Sequence, residues 1–237
     1  MTDSVYSPVR HFCDTLLSGL GIETTYYDPL IAGRIVELVR PNTRMIYCES
    51  PGSQTLEVQN LPAIAEMAHK RGVLVAADNT WSSGLYCNVF AHGADLSIQA
   101  ATKYICGHAD IMLGTVTCTK DVWPQFREGF ETLGQFAGPD DMAMGLRGLR
   151  TLGVRLQRHM ESALMIANWL GAQHEVAEVI YPALPGSRGH DLWKRDFTGA
   201  SGLFSVVLRP AGRAGLAAML GFGWSVGAIF TGAGTRA

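Results

Sequence analysis

The sequence predicts an α/β protein: a mostly parallel sheet sandwiched by helices, with a smaller second layer toward the C-terminus. Three observations carry this. From about residue 44 to 120, short apolar runs alternate with segments of helical period. Many of the 27 glycines stand just after apolar runs, where an α/β chain turns tightly. Three apolar runs end in polar residues, and open parallel sheets bind ligands beyond the carboxyl ends of their strands.

"SPVRHFCDTLLSGLG" predicts a helix closed by Gly21, and "DPLIAGRIVELVRPNT" a second closed by Pro41. "MIYCES" reads as a short buried strand. "LPAIAEMAHKRG" has apolar residues at helical spacing, Pro62 near its start and Gly72 at its end. "VLVAADNT", "DLSIQAA" and "GTVTCTK" read as three further strands. Helical period returns from about 140 to 171, where "LRTLGVRLQRHMESALMIANWLGAQ" is long and amphipathic enough to link two domains. "VAEVIYPAL" and "GLFSVVLRP" then read as strands of the smaller layer. The stretch "GFGWSVGAIFTGAGTRA" is glycine-rich and lacks a clear period. These elements divide the chain into a large domain, 1–145, and a linking helix with a partial smaller α/β domain, 146–237.

The chain has 237 residues, 47% of them apolar and 17% charged, enough to bury a substantial core. The net charge of -2 gives no basic excess for nucleic acid or an anionic membrane. No apolar run is long enough to span a bilayer, and no signal peptide opens the chain. The cysteines, Cys13, Cys48, Cys87, Cys106 and Cys118, are odd in number and form no CxxC pair. They imply a reducing compartment, and the cytoplasm is the expected location.

"MIYCES" delivers Glu49 and Ser50 to its carboxyl end, "VLVAADNT" delivers Asp78, Asn79 and Thr80, and "DLSIQAATK" delivers Thr102 and Lys103. If the strands are neighbours, these groups converge on one crevice. An acid directly after an apolar run is partly desolvated and needs a cation or hydrogen bonds. Asp78 alone fits a helix N-cap, a metal ligand or an ion-pair partner of Lys103. Lys103 alone fits a solvated loop. Together, about one helix and one strand apart, they also suit pyridoxal phosphate. The lysine would hold its aldehyde covalently, and the carboxylate would pair with the pyridinium nitrogen.

The wording around these residues goes further. "ESPGSQTLEV", "DNTW", "ATKYICGHAD" and "ALPGSRGHDLWKRDFTGASGLFS" resemble the Cys/Met-metabolism family of pyridoxal-phosphate enzymes, from about Tyr6 to Leu208. The resemblance implies a fold-type-I, transferase-like fold and a lyase of sulfur amino-acid metabolism. It implies Lys103 as the cofactor-binding lysine and catalytic base, and Asp78 as the partner of the ring nitrogen. Thr102 would bond the phosphate, and Tyr6 would stack on the ring and assist proton transfer. A serine common in the family three residues before the lysine is Ala100 here. Ser53 stands where γ-acting relatives carry asparagine.

Ser53 and the "ALPGSRGHDLWKRDFTG" stretch favour the branch that cleaves cystathionine by β-elimination, to homocysteine, pyruvate and ammonia, and that branch allows Ala100. The alternatives are a γ-acting relative (a γ-synthase or γ-lyase) and an inactive fragment that keeps the fold. The expected substrate is a small sulfur amino acid, and the expected assembly a homo-oligomer, tetrameric in relatives. No metal, nucleic acid or membrane is expected. Relatives carry, ahead of Tyr6, a glycine-rich phosphate loop and a Tyr/Arg pair reaching the neighbouring subunit. They also carry a later carboxylate-binding arginine that Arg236 does not match. The resemblance fades after Ser225, at Val226. The expectation is a chain truncated at both ends.

Of the remaining candidates, Glu49 is expected to support the pocket, and Trp81 to pack beside it. His108 is read as fixing its loop rather than binding zinc, and Cys106 as no nucleophile. His69 and His92 are expected on the surface, and "WKRD" (193–196) as a solvated charged face.

Overall fold

The computed structural model describes residues 1–209. The glycine-rich stretch from Gly221, with Ser225, Val226 and Arg236, lies outside the described residues.

β1 (Met45–Glu49), β2 (Leu74–Asp78) and β3 (Leu96–Gln99) are parallel neighbours in that order. α2 (Leu61–His69) crosses between β1 and β2. Its start is set by Asn60, whose side chain accepts from the Ala63 amide at 3.4 Å, with Pro62 in the first turn. Just beyond its end stands Gly72 at φ +67°. Its apolar stripe, Leu61, Ile64, Ala65 and Ala68, is buried at i, i+3, i+4, i+7 spacing.

β4 (Thr115–Cys118) lies on the far side of β3 and runs antiparallel to it. The strand was expected, and its direction makes the sheet mostly rather than wholly parallel, as predicted. Residues 100–114 form a turn and loop without a helix, so the chain folds straight back, whereas a parallel return needs a crossover.

At the N-terminus, α1 (Ser7–Phe12) runs into a π-helical turn (Cys13–Leu17) and closes at Gly21, φ +79°. The second expected helix is only a 3₁₀ helix, Ala32–Leu38. Ala32 has φ 49°, a left-handed value that bars an α-helical start there, and Pro41 bars extension at the other end.

After the sheet come α3 (Trp123–Leu133), α4 (Pro139–Leu149) and the 20-residue α5 (Leu152–Gly171). β5 (Val176–Ile180) pairs antiparallel with β6 (Ser205–Leu208), and α6 (His190–Asp196) lies between them in sequence. α3 and α6 are additions to the expected elements. One buried cluster joins Ile46, Ile64 and Val75 of the sheet layer to Ala163 and Ala167 of α5. It also takes in Tyr181 and Phe197 of the smaller layer.

α6 corrects the reading of "WKRD". The Arg195 guanidinium forks onto the Asp196 carboxylate at 2.6 and 2.8 Å, and that carboxylate is only 5% exposed. His92 is half-buried beside it, with Nε2 3.2 Å from the Asp196 carbonyl, rather than on the surface. His69, by contrast, is exposed and meets Asp95 at 2.9 Å.

Candidate active site

Strand register places the crevice. Glu49 of β1 pairs with Asp78 of β2, and Asp78 with Ile98 of β3. The carboxyl ends of the three parallel strands are therefore level. Lys103 stands in the turn that follows β3.

Asp78 is held from two sides. Its Oδ1 accepts from the Thr80 amide at 2.9 Å, and its Oδ2 lies 3.4 Å from the Tyr47 hydroxyl. Burial, with the Asp78 and Glu49 carboxylates nearby, pushes the Tyr47 phenol well above its usual value, so it stays a donor. The Thr80 hydroxyl accepts from the Ala100 amide at 2.9 Å, which ties the end of β2 to the turn carrying Lys103.

Glu49 sits on the same face. Burial, then the Asp78 charge, raises its carboxyl to about 7; the Tyr6 amide and Lys103 act in the opposite sense. Its Oε2 accepts from the Tyr6 amide at 2.8 Å. That bond fixes the backbone at Tyr6, a residue 44% exposed. The Lys103 Nζ lies 4.8 Å from the centre of the Tyr6 ring. The structure thus brings Tyr6, Glu49 and Lys103 together, with Asp78 level with Glu49 on the next strand.

Thr102 is turned elsewhere. Its hydroxyl accepts from the Leu113 amide at 2.7 Å and lies 3.2 Å from the Leu113 carbonyl, bracing the loop that leads to β4. Trp81 is buried beside the crevice, edge-on to Phe197 at 6.0 Å, and donates from Nε1 to the Leu203 carbonyl at 3.0 Å. His108 Nδ1 lies 2.9 Å from the Cys106 carbonyl, a bond within its own loop.

Sequence reasoning missed Tyr47 and Gln59. The signal for Tyr47 was available: period-2 alternation puts it on the face of Glu49, two residues on. Gln59 carried no such signal. It donates to the Glu49 carbonyl at 2.8 Å and accepts from the Tyr27 hydroxyl at 3.0 Å, a support formed only on folding.

A family model described as "Cys/Met metabolism PLP-dependent enzyme" matches residues 1–219. The chain belongs to this family.

Within the family, the chain is 51% identical over 212 residues to a putative cystathionine beta-lyase of Rhizobium johnstonii, covering 90% of this chain and 54% of that protein. It is 49% identical over 213 residues to cystathionine beta-lyase MetC of Escherichia coli, covering 88% and 53%. The crystal structure of metB from Corynebacterium glutamicum superposes with a TM-score of 0.84 at 27% identity, over 87% of this chain and 54% of that one. This family fold is the fold-type-I architecture expected from the sequence. The chain spans about half the length of these curated relatives. Among the described residues, no helix is long and apolar enough to cross a membrane.

The family is pyridoxal-phosphate-dependent, and the residues present fit the ring side of that cofactor. An exposed primary amine stands over an aromatic face, and a carboxylate held by the Thr80 amide and the Tyr47 hydroxyl stands at the neighbouring strand end. On the phosphate side the fit rests on Thr102, whose hydroxyl has one hydrogen to give and is 3.2 Å from a competing carbonyl.

Proposed function

We propose that this chain carries the lysine-bearing part of a carbon–sulfur lyase site that cleaves cystathionine, or a related cysteine S-conjugate, by β-elimination. The observation that carries this reading is the Lys103 amine placed over the Tyr6 ring, with Asp78 at the adjoining strand end. The 51% and 49% identities to proteins named cystathionine beta-lyases favour β- over γ-elimination, as does Ser53.

Pyridoxal phosphate, when bound, supplies the electron sink for the pair left at Cα. Lys103 would hold it covalently and Asp78 would keep its ring nitrogen protonated; Thr102 would donate to its phosphate only by giving up its bond to the Leu113 carbonyl. The other roles belong to the chain itself. Tyr47 and the Thr80 amide hold the Asp78 carboxylate in one orientation. Glu49 holds Tyr6 by its amide, so the ring presents a fixed face. Lys103, once its amine is free, takes the α-proton. Cleavage of the Cβ–S bond would release homocysteine, the proton taken from Cα passing to its sulfur, and the three-carbon remainder with one water would give pyruvate and ammonia.

In this reading the chain associates with copies of itself in the cytoplasm, and its substrate is a small sulfur amino acid. Five cysteines without a disulfide among them, four of them buried, support a reducing compartment. The exposed aromatic face of α3, with Trp123 49% exposed, supports self-association.

The test is to incubate the chain with pyridoxal phosphate and cystathionine and identify the keto acid. Pyruvate, lost in Lys103→Ala, is expected. 2-Oxobutyrate would replace the β-lyase reading with a γ-lyase. Neither product, at any protein concentration, would leave a chain that keeps the fold without turnover.

A further inference from the structure

The turn that carries Lys103 is held from outside its own sheet. Within the turn the bonds are local: Lys103 N–H to Ala100 O at 3.0 Å, Cys106 N–H to Ala101 O at 2.8 Å, and Gly107 N–H to Lys103 O at 2.8 Å. Such a turn leaves outward carbonyls without partners. Arg155, on the first turn of α5, collects them. Its Nη1 donates to Tyr104 O at 2.7 Å and its Nη2 to Ile105 O at 3.2 Å. Nη2 also donates to Gly148 O at the end of α4 at 2.8 Å, and Nε to the Thr151 hydroxyl at 3.0 Å. One planar fork thus binds the two residues after Lys103 to the α4–α5 junction, a geometry that a lysine ammonium cannot reproduce.

Two glycines show how closely these parts are fitted. A Cβ on Gly107, which has φ +79°, would overlap the Arg155 guanidinium. A Cβ on Gly148 would overlap the carbonyls of Ile105 and Cys106. The turn is pressed against α4 on one side and against Arg155 on the other. Tyr104 completes the contact, its ring edge-on to His159 of α5 at 5.8 Å.

We infer that Arg155 is a positioning residue for Lys103, fixing the backbone after the lysine to the linking helix α5, as Thr80 fixes the start of the same turn to β2. This rests on the reading of Lys103 as the cofactor-binding lysine. The consequence is mechanical: α5 also packs Ala163 and Ala167 into the cluster shared with Tyr181 and Phe197. The turn that carries the lysine is thereby coupled to α5 through the Arg155 guanidinium, with the Tyr104 ring against His159 as a second contact.

The test compares the unsubstituted chain, Arg155→Ala and Arg155→Lys, each with and without ethylguanidinium. Hydrogen exchange is read in the absence of cofactor. Hydrogen bonds to a charged donor support an increase of about tenfold or more in exchange at the Lys103, Cys106 and Gly107 amides of Arg155→Ala. Ethylguanidinium should reverse it, and Arg155→Lys should restore it only in part. Unchanged exchange at those amides would overturn the inference, and so would an equal rise throughout β1, β2 and α5, which marks a general loss of stability. The second readout is the visible absorbance of lysine-bound pyridoxal phosphate. It should fall in Arg155→Ala and return with ethylguanidinium; a band indifferent to Arg155 would overturn the positioning role. If the unsubstituted chain gives no band, the cofactor reading fails instead, and the exchange data alone decide whether Arg155 holds the turn.

Discussion

α2 and α3 are both amphipathic, and among the described residues only α2 meets a partner surface. α2 buries Leu61, Ile64, Ala65 and Ala68 in the core beside β2 and the 3₁₀ helix Ala32–Leu38. α3 sets Trp123, Phe126, Phe130 and Leu133 at the same kind of spacing, yet buries no residue. Its rings meet one another instead: Phe126 stacks on Phe130 at 6.2 Å, and Phe130 meets Phe136 at 4.8 Å. An apolar stripe in sequence states that a partner surface is needed, not where it is. For α2 this chain supplies it. For α3, among the described residues, nothing does.

The contrast predicts three effects, from large to small. Ile64→Ala removes a fully buried side chain from the core beside β2, and its cavity should cost about 2–5 kcal/mol in denaturant unfolding. A loss under about 1 kcal/mol would mean that the α2 interface is looser than the geometry states.

The second effect concerns pH at the crevice end of the same sheet. The Glu49 carboxyl is raised from 4.5 to about 7. Between those values the folded chain keeps a proton that the unfolded chain has lost, so stability falls as pH rises through the window and levels off above it. The loss should be about 2 kcal/mol, allowing for partial exposure. Glu49→Gln should flatten that slope. A wild-type slope of opposite sign would show that Glu49 is ionised throughout.

The smallest effect is expected at Leu133→Ala. This leucine is 73% exposed at the end of α3, and the change should move the stability of the isolated chain by no more than about 0.5 kcal/mol. A value near that of Ile64→Ala, growing with protein concentration, would show α3 covered by a second copy of the chain.

The same contrast marks what the sequence disclosed. β1, α2 and β2 were legible because their periods, caps and lengths agree with one another. β3 and β4 were legible as strands, but the antiparallel return of β4 depends on a loop without a helix, which no period reveals. α3 carried helix signals of its own: Pro124 in the first turn, Gly134 in a left-handed cap, and an Arg127–Glu131 pair. α6 was hidden because its charges satisfy each other on folding, Arg195 forking back onto Asp196.

In the site, Lys103, Asp78, Tyr6 and Glu49 were legible as strand-end or motif residues. Tyr47, Gln59 and Arg155 act through hydrogen bonds to residues far away in the chain. Their roles exist only once β1, its following loop and α5 meet the crevice. Thr102 shows the opposite case, since its motif position gave no sign that Leu113 would engage its hydroxyl.

The central claim is that the crevice at the ends of β1–β3 singles out one lysine for pyridoxal phosphate. The chain has three other lysines, Lys70, Lys120 and Lys194, each outside the crevice. Incubation with the cofactor, reduction with borohydride and peptide mass mapping would locate the modified amine. The account predicts a pyridoxyl group on Lys103 at stoichiometric cofactor, sharply reduced in Asp78→Asn. Modification spread evenly over the four lysines, or absent from Lys103, would contradict it.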